Sequence, residues 1–447
     1  MASVRMRTRR VRFMSEHLHS SSSGHLRRNV GRACLWSYLL SGTGLFWFNP
    51  IWMGAVVRRE TELDAVRGIA ALVVVFFHFW LIIPDEWKSH AYVAHMMGVS
   101  LTPEMIFHFT PLRLIISGSG AVGLFFVLSG YVLSLSMARQ GMTSYGRFIV
   151  RRIFRIYLPF AVVILFSAAL LPIVKVAPLH GVSQWFASEP WSIYPTEQVV
   201  TGHLLMIGTV PLVSLDNPMW SLIIEMRVSL IFPILFILME KYRNETLACV
   251  TAAYFCSSIF LNRLGENPPT TFMHSMIFTF EYLPLFVVGI LFYQFRERIF
   301  GFYGATRPVI RTVVMPLAVL LLGTPTIGPE NAVGIMKNLI WIVCTTIGSV
   351  SVICIAINNE TIRSFLQKSH MQGLGHISYS LYLSHMVVLL VMAYTLLQYM
   401  PLWGWAAFAM PGCVMVATAC FWCVESPCMR AGYWLTRRRY LKPELVG

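Results

Sequence analysis

An arginine and a histidine eleven positions apart, Arg67 and His78, bracket the apolar run from Gly68 to Phe77. Over that distance an α-helix turns about three times and rises roughly 16 Å, so both side chains leave one face. Ionisable groups inside an apolar run are costly in lipid and point to function. A guanidinium grips phosphate in two-pronged fashion, and an imidazole titrating near neutrality can take a proton from a hydroxyl. The pair suits a long ligand with an anionic head and a reactive tail.

Other constellations share this character. Arg147, Arg151 and Arg155 recur every four residues with Arg152 among them, giving a basic helical face suited to phosphate or to lipid headgroups. In Trp220-Ser-Leu-Ile-Ile-Glu225-Met-Arg227 the carboxylate and guanidinium are two apart and do not face each other. Each needs a partner elsewhere in the bundle, and His78 is the first candidate for Glu225, which could steady an imidazolium. Ser378, Tyr382 and His385, spaced by four and three, share a face that predicts a polar cavity lining where substrate is held. Ser129-Gly130 reads as close helix packing, since no adjacent base activates the serine. Cys420 and Cys423 read as packing cysteines, and no metal site is expected.

Composition dictates the elements that must position these groups. The chain has 447 residues, 56% hydrophobic and 12% charged, where a soluble domain carries about 25% charged residues. Its apolar runs are continuous and near twenty residues long, which excludes the alternation of a barrel. The expectation is an all-α polytopic membrane bundle of about ten transmembrane helices. They fall at about 66–83, 119–137, 156–174, 219–239, 246–262, 276–294, 312–323, 337–356, 377–396 and 403–423. With the first span entered from the cytoplasm, 21 Lys/Arg fall on that side and 5 on the other, which predicts a cytoplasmic C-terminus. The net charge of +15 would invite nucleic acid in a soluble protein. Here the charges end apolar runs, so they set membrane orientation and no nucleic-acid partner is expected.

Residues 1–59 form a basic extension, read as disordered, interfacial or a cleaved leader. The membrane domain covers 60–428, and 429–447 is a basic tail. The long connections 84–118 and 175–218 carry Trp87, His90, His95, Trp185, Trp191 and Tyr194, and loops of that length usually bear on function. A proton-coupled transporter or flippase is the rival reading, although no internal repeat of the kind transporters show is visible.

Together these motifs resemble the acyltransferase family 3 membrane proteins. The resemblance rests on Leu63-Asp64-Ala-Val-Arg67-Gly68, the Arg67-to-His78 spacing, Phe125-Phe-Val-Leu-Ser-Gly130 and Arg152-x-x-Arg155 before Pro159. It continues through Trp220-Ser-Leu-Ile-Ile-Glu225-Met-Arg227, Ile377-Ser-Tyr-Ser-Leu-Tyr382 with His385, and Glu425-Ser-Pro427. It implies ten helices and transfer of an acyl group, by default acetyl, from cytoplasmic acyl-CoA to a hydroxyl of a carbohydrate or lipid-linked sugar of the cell envelope. It also implies a bacterial inner membrane, and a homodimer is compatible with it. By the family pattern Arg67, His78, Arg152, Arg155 and Glu225 are the functional positions, with His78 as base and Arg67, Arg151, Arg152 and Arg155 on the CoA phosphates. Gly123 departs from the pattern, because many relatives carry an acidic or polar residue there.

Overall fold

The computed structural model describes residues 60–84, 107, 110–140, 145–175, 177–264, 270–324 and 334–436. The 1–59 extension, Trp87, His90, His95 and the tail from 437 onward lie outside the described residues.

Each of the ten predicted runs is helical. Three helices open the domain: α1 (Thr61–Ile82), α2 (Gly118–Gln140) and α3 (Tyr145–Arg152). α3 continues through a π-helical turn, Ile153–Tyr157, into α4 (Leu158–Val174). Two short helices follow, α5 (Gln184–Ser188) and α6 (Glu197–Leu204), before α7 (Met219–Lys241), α8 (Arg243–Leu264), α9 (Phe272–Ala305), α10 (Pro308–Leu322) and α11 (Gly334–Asn358). After α12 (Glu360–Leu366) and α13 (Ser369–His376) come α14 (Ser378–Leu396) and α15 (Leu402–Cys420). A second π turn, Phe421–Glu425, leads into α16 (Ser426–Thr436), so the start of the predicted tail is helix.

Among the described residues eight helices, of 19 to 35 residues, are long and apolar enough to cross a membrane, for which roughly 20 residues suffice. The other two predicted spans correspond to α8, which opens on polar Arg243-Asn-Glu-Thr, and to α10, which has 15 residues. No strand occurs among the described residues. The protein is an all-α polytopic integral membrane bundle.

Small residues let its central helices approach. A Cβ at Gly130 would lie 2.2 Å from the Phe286 carbonyl oxygen, and one at Gly289 would lie 2.4 Å from that of Val127. α2 and α9 therefore touch backbone to backbone, the role small residues play between membrane helices. Gly68 of α1 likewise abuts Leu374 and Gly375 of α13. At Gly123 a Cβ would meet Thr345 Cγ2 at 2.3 Å, so the acidic residue of many relatives has no room beside α11.

Candidate active site

At the Arg67 end of α1 the helices enclose a cavity of about 250 Å³. Arg67, Ser129, Arg151, Arg152, Arg155, Glu225, Ser378, Tyr379 and Tyr382 line it, drawn from α1, α2, α3, the first π turn, α7 and α14. Most of the site residues predicted from spacing thus converge here. Arg147 does not line the cavity.

The π turn shapes this wall. The Leu158 N–H reaches back five residues to the Ile153 carbonyl, and such turns recur at functional sites. Its Ile156 carbonyl accepts a 2.6 Å hydrogen bond from the Tyr379 hydroxyl, which pins the turn to α14. Arg155, within the turn, is exposed and borders the cavity. Arg152 is buried, with Glu225 Oε1 3.9 Å from its Nη1. Its Nε is buried without a hydrogen-bond partner among the described residues, an expensive state unless a ligand supplies the acceptor. Arg151 donates through Nε to Thr436 Oγ1 at 2.8 Å and lies over the Tyr433 ring, tying α3 to α16. Arg67 forms a 3.7 Å pair with Asp64.

Glu225 does not meet His78 as its spacing suggested. Its Oε1 accepts a 3.0 Å hydrogen bond from Ser129 Oγ, and Arg152 is its ion-pair partner. The reason is rotational: the face of α7 carrying Leu222 and Glu225 turns toward the Arg67 cavity. Ser129, expected only to pack, is therefore part of the site.

His78 lies beyond that cavity, on the far side of Tyr382. The Tyr382 hydroxyl meets Ser221 Oγ at 2.5 Å and donates to the Pro218 carbonyl at 3.2 Å, and Phe125 packs edge-on against its ring. Tyr382 forms the cavity floor. Its ring centroid is 6.0 Å from that of His385, whose Nε2 is 3.2 Å from His78 Nδ1. His385 thus contacts the second imidazole instead of lining the cavity with Ser378 and Tyr382.

Backbone carbonyls, which only accept, decide the proton positions. His78 Nδ1 is 2.9 Å from the Val74 carbonyl and His385 Nδ1 is 3.1 Å from that of Leu381. In the neutral rings both Nδ1 atoms carry hydrogen, and both Nε2 atoms are bare. The His78 Nδ1–H is shared between Val74 O and His385 Nε2, which leaves His78 Nε2 as a free proton acceptor.

The opposite end, toward Ile82, carries a second cavity of about 210 Å³. Trp185, Gly208, Thr209, Asn217, Trp220 and Arg227 line it, and the Trp185 ring lies 6.2 Å from that of His78. Periodicity could not find this site, because the irregular segment 205–218 supplies Gly208, Thr209, Val213 and Asn217 to a wall completed by α5, α7 and α9. His203 Nδ1 donates to the Val199 carbonyl at 2.7 Å, and its Nε2 accepts from the Leu215 N–H at 3.1 Å. Ser167 Oγ donates to the Leu215 carbonyl, and the Trp191 N–H donates to that of Ser214 at 2.8 Å. Burial holds the His203 imidazole down at a pKa of about 4, so it stays neutral. Asp216 is wholly buried, and neither carboxyl oxygen has a hydrogen-bond partner among the described residues. Burial pushes its pKa well above the ordinary carboxylate range.

Residues 60–425 match the family model described as an acyltransferase domain, the acyltransferase 3 family. The chain is also 34% identical over 122 residues to a protein of Phomopsis amygdali named O-acetyltransferase PaAT-1. That stretch covers 25% of this chain and 23% of the relative. No solved structure matches.

Proposed function

Because the chain belongs to the acyltransferase 3 family, and is an integral membrane acyltransferase, we propose that it moves an acetyl group from acetyl-CoA to a carbohydrate hydroxyl. The donor occupies the Arg67 cavity, which faces the cytoplasm, and the acceptor arrives from the Ile82 end. The observation that carries this reading is the His78 Nδ1–H, held by Val74 and His385 so that Nε2 is left bare. The O-acetyltransferase name of the relative supports the choice of donor.

The phosphates of CoA sit on Arg152, Arg155 and Arg67. The Arg152 Nε–H, without a partner among the described residues, supplies a donor for such a group, and guanidinium matches phosphate geometry. The pantetheine arm runs inward past Ser129 and Phe125, and the thioester reaches His78 when the Tyr382 ring swings from its bond with Ser221. The acceptor oxygen attacks the thioester carbon as His78 Nε2 takes its proton. The carbon–sulfur bond then breaks, and His78 returns that proton to the departing thiolate. Products are the ester and free CoA. A positioned base of this kind contributes about 10²–10⁴-fold. Purified protein in nanodiscs, given labelled acetyl-CoA and a carbohydrate acceptor, should form labelled ester with matching CoA release. Failure to consume acetyl-CoA would overturn the reading.

A further inference from the structure

We infer that the cavity at the Ile82 end is an acceptor subsite for a single hydroxylated ring bearing an acidic group, a uronic-acid type of sugar, read through Arg227. This deepens the acyl-transfer reading and rests on it for placing the reactive hydroxyl beside His78. The cavity, at about 210 Å³, is smaller than the roughly 300–1,000 Å³ typical of drug-sized ligand pockets. It therefore fits one ring. Trp185 and Trp220 offer indole surface to the ring's C–H groups, while Thr209 and Asn217 offer hydrogen bonds to its hydroxyls. Trp185 also packs toward His78, so a ring held here presents a hydroxyl toward the base.

Arg227 supplies the charge selection. Its Nη1 donates to the Ser275 carbonyl at 2.8 Å and to Ser275 Oγ and Thr279 Oγ1 at 3.0 Å each. Its Nη2 donates to the Ile207 carbonyl at 2.8 Å and, less closely, to that of Met206 at 3.3 Å. All these acceptors are neutral, and among the described residues no carboxylate pairs with Arg227. Its Nε–H makes no hydrogen bond within the described protein. The four Nη hydrogens are taken by these acceptors, so the Nε–H is the donor left for a carboxylate, as one charge-assisted hydrogen bond. The backbone is shaped to hold the guanidinium in place. Met206 and Gly208 take left-handed conformations, with φ of 54° and 73°, on either side of the Ile207 carbonyl. That turn brings the Met206 and Ile207 carbonyls to one nitrogen. Left-handed backbone at a methionine is costly and is kept where surrounding structure enforces it.

Calorimetric titration of the full chain in nanodiscs tests this, with methyl β-glucuronide and methyl β-glucoside as the probes. The glucuronide should bind at least tenfold tighter. Arg227→Gln should erase that preference while acetyl-CoA binding at the other end persists, and Arg227→Lys should keep part of it. Equal binding of the two probes, or binding of neither, overturns the proposal. If Arg227→Gln does not fold, the wild-type comparison decides by itself. Glucuronide preference without any acetyl-CoA consumption would instead overturn acyl transfer and leave this subsite standing.

Discussion

His385 Nε2 stands 3.2 Å from His78 Nδ1, so two imidazoles on helices 307 residues apart in sequence form one hydrogen-bonded unit. In the proposed reaction His385 acts through His78 as a positioning residue. His385→Leu removes one of the two acceptors that share the His78 Nδ1–H and leaves the Val74 carbonyl, a change costing about 0.5–1.5 kcal/mol, and the transfer rate is expected to fall roughly 2–10-fold. His385→Gln, whose amide oxygen can accept, is expected to recover most of that loss. Rates of both variants at saturating acetyl-CoA make the comparison, and equal loss in the two would leave His385 a mere packing residue.

His78→Ala removes the proton acceptor itself. Transfer is expected to fall by at least about 100-fold, with acetyl-CoA affinity within a few-fold of wild type. Retention of more than a tenth of the normal rate would remove His78 as the base.

Arg152 and Glu225 line the cavity proposed to hold the donor, so their variants are expected to act on KM. Arg152→Gln strips a buried cation from the phosphate site, and KM for acetyl-CoA should rise roughly 10–100-fold, in keeping with a charged hydrogen bond of about 1.5–3 kcal/mol. Glu225→Gln keeps the bond from Ser129 and loses the ion pair, which predicts a smaller rise in the same constant. A kcat loss at unchanged KM in Glu225→Gln would show that the carboxylate serves the base after all.

The region 197–218 carries two buried titratable groups whose effects on stability oppose and offset each other between about pH 4 and 6.5. Unfolded His203 takes up a proton near pH 6.5, whereas the folded residue holds out to about pH 4, so stability is lost as pH falls through that window. Asp216 is favoured in its protonated form when folded, so its contribution is present at low pH and lost as pH rises above the ordinary carboxylate range. Thermal unfolding in detergent across pH measures both slopes. His203→Gln should uncover the Asp216 loss as pH rises, and Asp216→Asn the His203 loss as pH falls.

Gly130→Ala tests the backbone contact between α2 and α9. Its Cβ would press on the Phe286 carbonyl at 2.2 Å, and overpacking of this kind costs about 1–3 kcal/mol. A lowered unfolding temperature is expected, and an unchanged one would mean the helices part more easily than their spacing implies.

Much of the bundle is legible in sequence, because a membrane demands continuous apolar runs and charged ends. The Arg67 cavity is legible for a related reason. Arg151, Arg152, Arg155, Ser378 and Tyr382 sit at helical spacings, and a polar face on a membrane helix must point at something polar. What periodicity does not carry is which face meets which. Glu225 turned to Ser129 and Arg152 rather than to His78, and His385 left the Tyr382 stripe for His78, through contacts between distant helices. Ser129 was hidden by its neighbour Gly130, whose small size explains the motif by itself. The wall of the second cavity lacks a repeating pattern. Only Trp185 in a long connection, and Arg227 as a charge inside an apolar run in need of a partner, pointed toward it.

The bond between Ser221 and Tyr382 sets the character of the whole machine. In the proposed reaction, with that latch closed, coenzyme and sugar wait in different rooms, and neither molecule needs to cross the bilayer. On that reading what passes the threshold is a two-carbon fragment, so material beyond the barrier is decorated without a channel for ions or loss of the coenzyme.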